Sequence, residues 1–310
     1  MNPVIERTDY LEQAKPEAVK TKRRMNGEIF WGYLFILPTI GAFILFSLIP
    51  TISVFALSLF KWDMINNPVY IGFQNYADMF ANKDFWHVLS VTLTYMFYSQ
   101  VPKIIIALLV ALLLVKTLPG IKVFQIPMVL PWIAMPIAVA MVWKWILDPM
   151  SGLLNYYLGI LGIERILWFS PDTVLQSIAI VDVWQHFGFT TILFMVGLQN
   201  ISAMYYEAAS IDGANRFRQF WHITLPLLKP TLLFIMVTSI IGSFQVFDVI
   251  YATTQGGPGD LSRVYYFLIY DNAFKNLQMG YASALSVFLF VVLMLLTMIQ
   301  MKVFKDKTTY

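Results

Sequence analysis

Six apolar runs, each long enough to cross a bilayer, constrain this chain more than any other feature. They are Trp31–Leu57, Val88–Val115, Phe124–Ile146, Val174–Leu198, Leu232–Ile250 and Tyr281–Val303. A spanning helix needs about 20 mostly apolar residues. Several of the runs are longer, which predicts tilt or helical extension beyond the bilayer. Tryptophan and tyrosine gather near the ends, at Trp31, Trp62, Trp86, Trp132, Trp143, Trp145, Trp168 and Tyr251. Amphipathic rings favour the membrane–water interface. The expected fold is therefore an all-α membrane protein of six transmembrane helices.

The composition agrees. Hydrophobic residues make up 58% of the 310 and charged residues 13%, with a mean hydropathy of +0.67. A soluble chain of this length needs more charge to cover its surface. Cysteine is absent, which excludes disulfides, thiolate metal sites and a thiol nucleophile. The net charge of +3 is spread over segments flanking the spans, a pattern that does not suit nucleic acid.

Charge asymmetry orients the bundle. With the N-terminus inside, the inner segments carry 14 Lys and Arg and the outer ones 6. The positive-inside rule then places both termini in the cytoplasm. Residues 1–29 read as a cytoplasmic tail, with a short surface helix expected around Tyr10–Met25. Residues 30–304 form the membrane domain, and 305–310 a cytoplasmic C-terminal tail. The outer segments 58–87 and 251–280 have room for short surface helices, and the glycines and Pro258 of "TTQGGPGD" break regular structure.

Between spans four and five lies a compact polar segment, "EAASIDGANRFRQFWHITLP", from Glu207 to Pro226. Ser202 is placed to cap a helix through Met204–Ile211. Asp212-Gly213 is a stop signal, because glycine accepts a left-handed cap. A second helix from Ala214 to about Trp221 is expected next, with Pro226 and Pro230 setting the entry into span five. The small Ala208, Ala209 and Ala214 leave room for another surface. Phe217, Phe220 and Trp221 are expected to anchor this elbow, residues 202–226, under the bundle.

The elbow resembles the cytoplasmic signature of permease subunits in binding-protein-dependent ABC importers. The family pattern is Glu-Ala-Ala, three residues, Gly, nine residues, then Ile-x-Leu-Pro. It stands here as Glu207-Ala208-Ala209, Gly213, Ile223 and Leu225-Pro226. "FILPTIGAFILFSLIPTISVFALSLFKW", "YIGFQNYADMFANKDFW", "LPWIAMPIAVAMVWKWILDPMSGLLN" and "TTQGGPG" are similar to stretches of the carbohydrate uptake group. The likeness is to its maltose-type and glycerol-phosphate-type first permeases, in a minimal six-span form. The resemblance implies a prokaryotic cell-membrane protein paired with a second homologous permease. It implies two cytoplasmic ATPase subunits below and an extracytoplasmic solute-binding protein above. Glu207, Ala208, Ala209, Asp212, Gly213 and Ala214 would then form the helix that docks on an ATPase. ATP would be bound and hydrolysed by that partner. The chain itself has no G-x-x-x-x-G-K-[ST] loop, and no cofactor is expected in it.

Polar groups inside spans are costly and point to function. Asp182, Gln185, His186 and Phe189 follow the spacing i, i+3, i+4, i+7, which puts them on one face of span four. Thr238, Gly242, Gln245 and Asp248, spaced four, three and three, form a similar stripe in span five. Amides, hydroxyls, carboxylates and an aromatic ring suit a sugar. In maltose-type relatives the equivalent stretches line the sugar site, which the resemblance carries to all of these residues except Asp248. Asp248 enters from the stripe alone. The plainer reading is interhelical hydrogen bonding, worth about 0.6 kcal/mol on average. Lys103 stands in the middle of span two and needs a partner such as Asp182, a wet cavity or an anionic ligand. The competing class is a proton- or sodium-coupled carrier using Asp182, His186 and Asp248, against which stand the six-span size and the lack of an internal repeat. No intramembrane catalytic constellation is present.

Overall fold

The computed structural model describes residues 25–115 and 121–304. The expected surface helix around Tyr10–Met25 and the tail 305–310 therefore fall outside the described residues, apart from Met25 itself. Two compact units are distinguished, 1–53 and 54–310. The first is helical wherever it is described. Helix α1 runs through Met25–Phe43, a π turn at Ile44–Leu48, and Ile49–Leu57, whose residues from Val54 on are counted in the second unit.

In the second unit, the segment after α1 makes an antiparallel ribbon of two short strands, β1 (Phe60–Lys61) and β2 (Val69–Tyr70). A short helix, α2 (Gln74–Ala81), follows. Asn82 then caps α3 (Lys83–Leu114) by accepting a 2.9 Å bond from the Asp84 N–H. Next come α4 (Ile121–Ile133), α5 (Pro136–Ile146), α6 (Leu153–Ile160) and the long α7 (Val174–Gln199). The elbow consists of α8 (Ala203–Ile211) and α9 (Arg216–Gln219), and a π turn at Phe220–Thr224 leads into Leu225–Leu227. The last elements are α10 (Lys229–Phe244), α11 (Asp248–Thr253), α12 (Tyr265–Tyr270) and α13 (Met279–Phe304). Among the described residues, regular structure other than helix is confined to the β1–β2 ribbon.

Among the described residues, five helical stretches are long and apolar enough to cross a membrane, and a bent pair makes a sixth if its two halves cross as one span. That pair corrects the expectation of one continuous third span. Gln125–Ile133 and Pro136–Ile146 meet at 103°. Met135 is extended, with φ −57° and ψ 124°, because the ring of a following proline disfavours the α conformation. The fifth span also departs from the expected Leu232–Ile250. Its first helix stops at Phe244, and Phe247, with φ −145° and ψ −53°, precedes a new helix at Asp248.

Packing is closest where side chains are smallest. A Cβ on Gly188 of α7 would collide with the Met128 carbonyl oxygen of α4. One on Gly197 would lie 2.5 Å from the Thr231 hydroxyl of α10. Small residues let membrane helices approach in this way. At one end of the bundle, Ala107 and Ala111 of α3 pack with Phe194, Met195 and Leu198 of α7 and Ile235 of α10. At the other, Arg263 ties the loop after α11 to the start of α3. Its guanidinium lies 3.0 Å from Asp84 and 3.2 Å from Asp271.

Two outcomes are expected. Gly188→Ala overpacks the α4–α7 contact and should cost about 1–3 kcal/mol, read as a lower melting temperature of the purified protein. The second concerns whether the bent pair crosses the membrane completely. Single cysteines replacing the exposed Ile65 and Met150 should then label from one face with an impermeant thiol reagent. A cysteine at the exposed Phe217 should label from the other. Labelling of Ile65→Cys and Met150→Cys from opposite faces would make α4–α5 a re-entrant loop.

Candidate translocation cavity and elbow

All eight polar-stripe residues line a single cavity of about 320 Å³. Asp182, Gln185, His186 and Phe189 face it from α7, and Thr238 and Gly242 from α10. Gln245 and Asp248 reach it by a route that helical spacing did not foresee. Gln245 is the C-cap of α10 and Asp248 opens α11, so the break between them turns both toward the same space. The α4–α5 break contributes Trp132 and Pro136. Gly242 has no atom within 4 Å of where its Cβ would stand, consistent with a position on the open cavity wall.

Several of the polar groups are held by specific neighbours. Pro136 and the bend leave the carbonyl of Ala134 outside a regular helical ladder. Gln185, 1% exposed, donates its amide to that oxygen at 3.4 Å. The Lys103 ammonium lies 3.8 Å from Asp182 Oδ2, with side chains 7% and 13% exposed, so the buried cation of α3 has its counterion on α7. Asp182 Oδ1 is 3.1 Å from Nδ1 of His186, one turn further on. Thr238 turns its hydroxyl back onto the Phe234 carbonyl at 2.8 Å. Asp248 forms no ion pair among the described residues. The Asp182–His186 contact thus does not extend to Asp248, and the three groups make no continuous hydrogen-bonded relay.

Sequence reasoning missed several wall residues. Trp132, assigned there to the interfacial belt, stacks on Phe189 with ring centroids 4.2 Å apart and planes 6° from parallel. Gln100 lies one turn before Lys103 on α3 and lines the same space. Its signal was available, since Gln100 and Lys103 share a helical face inside an otherwise apolar run. Ser239 and Phe247 complete the wall between the two halves of span five. No cluster of metal-ligating side chains occurs among the described residues.

The elbow is built as a capped turn. The Ser202 hydroxyl accepts from Met204 N–H at 3.4 Å. At the other end Gly213 adopts φ +76°, with Gly213 N–H on Ser210 O and Ala214 N–H on Ala209 O at 3.1 and 2.8 Å. This is the paired bonding of a Schellman cap, whose left-handed residue favours glycine. Asn215 caps the next turn by accepting from Arg218 N–H at 2.9 Å. That helix is shorter than the expected Ala214–Trp221, and it passes into a π turn at Phe220. The anchoring also differs from expectation. Phe217 and Trp221 are 71% and 49% exposed, and of the three expected anchors only Phe220 is half-buried. The elbow is pinned instead by the Tyr206 hydroxyl on Thr224 at 3.0 Å and by Gln219 on Ser210 at 3.0 Å. Glu207, Ala208, Asp212 and Gly213 face outward, and Ala209 and Ala214 are half-buried.

Removing one partner of a buried ion pair strands the other. Lys103→Ala is therefore expected to cost about 3–5 kcal/mol, whereas Lys103→Met with Asp182→Leu restores most of the loss. Thermal unfolding of the purified protein distinguishes this from a solvated pair, for which both changes would be near neutral.

Comparison with known proteins shows the family to which this fold belongs. Residues 29–310 match the family described as binding-protein-dependent transport system inner membrane component. The chain is 35% identical over 292 residues to the probable ABC transporter permease protein YesP of Bacillus subtilis (strain 168), covering 92% of this chain and 94% of the relative. It is 35% identical over 275 residues to the trehalose/maltose transport system permease protein MalF of Thermococcus litoralis, covering 88% and 92%. Its fold is similar to that of a chain in the crystal structure of a bacterial alginate ABC transporter bound to its alginate pentasaccharide-loaded periplasmic protein. That similarity has a TM-score of 0.77 at 24% identity, over 88% of this chain and 93% of the other. The chain belongs to the family of inner-membrane permease components of binding-protein-dependent ABC transporters.

Proposed function

We infer that this chain is one of two membrane-spanning subunits of a sugar importer in a prokaryotic cell membrane. A sugar or sugar derivative passes through the cavity between α7 and the α10–α11 break, driven by ATP hydrolysis in partner subunits. The observation that carries this reading is the convergence of all eight stripe residues on one cavity inside a permease fold. The relatives named for trehalose and maltose, arabinooligosaccharides and sn-glycerol-3-phosphate transport support a carbohydrate-type substrate.

In this reading the elbow faces the cytoplasm, as the 14-to-6 bias in Lys and Arg requires. The exposed Met204, Tyr205, Ile211 and Phe217 give it an apolar surface with Glu207 beside it. Such a surface suits a cleft in an ATPase subunit. A second permease closes the open side of the cavity, and a solute-binding protein delivers the sugar at the opposite face. The carrier alternative needs a relay through Asp182, His186 and Asp248, which the isolation of Asp248 disfavours.

Reconstitution with a second permease, the ATPase and the solute-binding protein tests the reading through ATP-dependent uptake of labelled sugars. A lost hydrogen bond costs about 0.5–1.5 kcal/mol, so Gln185→Ala or Gln245→Ala should weaken uptake roughly two- to thirteen-fold while basal ATP hydrolysis persists. Gly213→Val, which strains a positive φ, and Glu207→Lys should abolish sugar-stimulated hydrolysis with assembly reduced or lost. Unchanged uptake in both amide variants would remove the cavity from the pathway. Unchanged coupling in both elbow variants would remove the elbow from the docking surface.

A further inference from the structure

We propose that the cavity selects an uncharged saccharide and rejects sugar acids and sugar phosphates. The inference rests on the importer reading and adds to it the charge of the cargo.

The argument is a charge and donor balance over the wall. Lys103 is the only lysine or arginine among the described residues that line the cavity. It is committed, with its ammonium at 3.8 Å from Asp182 Oδ2 and its side chain 7% exposed. Asp248 adds a second carboxylate, exposed and without an ion-pair partner among the described residues. One cation therefore stands against two carboxylates, and a protonated His186 brings the sum only to zero. An anionic cargo needs a surplus of positive charge, and bidentate guanidinium groups are the usual means of supplying it. No arginine among the described residues reaches this wall.

The chemistry of the exposed wall points the same way. Asp248 presents an exposed carboxylate to the cavity, and a second carboxylate or a phosphate would meet it acceptor to acceptor. Hydroxyl groups can donate to it, and the Trp132–Phe189 stack offers a flat apolar face to the C–H side of a ring.

This chain has no native cysteine, so in a complex whose partner subunits are also made cysteine-free a single thiol can be followed directly, without the solute-binding protein. Gly242→Cys places one thiol on the cavity wall, where nothing lies within 4 Å of the new Cβ. Its reaction rates with a cationic trimethylammonium-ethyl and an anionic sulfonatoethyl methanethiosulfonate are each divided by the rate with free 2-mercaptoethanol. The cationic reagent should be favoured at least about tenfold, the scale on which a charged cleft concentrates counter-ions. Asp248→Asn in the Gly242→Cys background should reduce that preference. Maltotriose should slow modification by a neutral reagent, whereas glucuronate and glucose 1-phosphate at the same concentration should not. Equal or faster reaction with the anionic reagent, or equal protection by the anionic sugars, would overturn the proposal. A complex that shows the charge preference yet takes up no sugar would instead sink the importer reading, leaving the charge assignment intact.

Discussion

At membrane depth every backbone N–H and C=O needs a partner, and irregular chain survives only where it is enclosed by protein or lines a cavity. This constraint accounts for the placement of the functional residues. Two spans are broken, at Ala134–Met135 and at Gln245–Phe247, and both breaks border the same cavity. The carbonyl freed at Ala134 is met by Gln185, a residue that also forms part of the wall. Polar side chains are thus concentrated where broken backbone requires them. A cavity lined in this way already contains the amides and hydroxyls that recognise a polyhydroxylated ligand.

The buried pair of Lys103 and Asp182 works on a different level. Such a pair often contributes little net stability, since desolvation offsets the Coulomb attraction. Its value here is positional. It fixes α3 against α7 in rotation and register, because sliding either helix by a turn would leave two charges stranded in an apolar interior. His186, on the other oxygen of Asp182, extends the same control to the cavity surface.

Much of this was legible in the sequence because helical spacing and capping chemistry are local. The span four stripe needed only the i, i+3, i+4, i+7 rule. The Asp212-Gly213 stop needed only the conformational freedom of glycine, and the structure places φ +76° there. The bend in span three was locally encoded too, in the proline after Met135, yet total apolar length concealed it. What was not legible depended on tertiary placement. Gln245 and Asp248 stood on the span-five stripe, but the interruption of the helix between them, which brings both to the cavity, did not show. Trp132 reads as an interfacial anchor until Phe189 of a distant helix is stacked upon it. Phe217 and Trp221 read as anchors because they are large and apolar, but the pins of the elbow are Tyr206, Thr224 and Gln219. A surface that awaits a partner resembles a core until the fold shows which side it faces.

The contact at Gly197 has a mechanical consequence. Helices α7 and α10 approach closely there, against Thr231, and farther along both line the cavity, at Asp182 and at Gly242. The elbow joins the two at their near ends, so the pair has the form of a lever with its fulcrum at the glycine. Asp182 lies 15 residues from Gly197. At 1.5 Å per residue the arm is about 22 Å long, so a rotation of about 5° at the fulcrum would displace the far end by about 2 Å. A displacement of that size decides whether a side chain keeps or loses a hydrogen bond to a ring in the cavity. A larger residue at 197 would move the pivot itself, and the stroke delivered to the wall would change even with every wall residue intact.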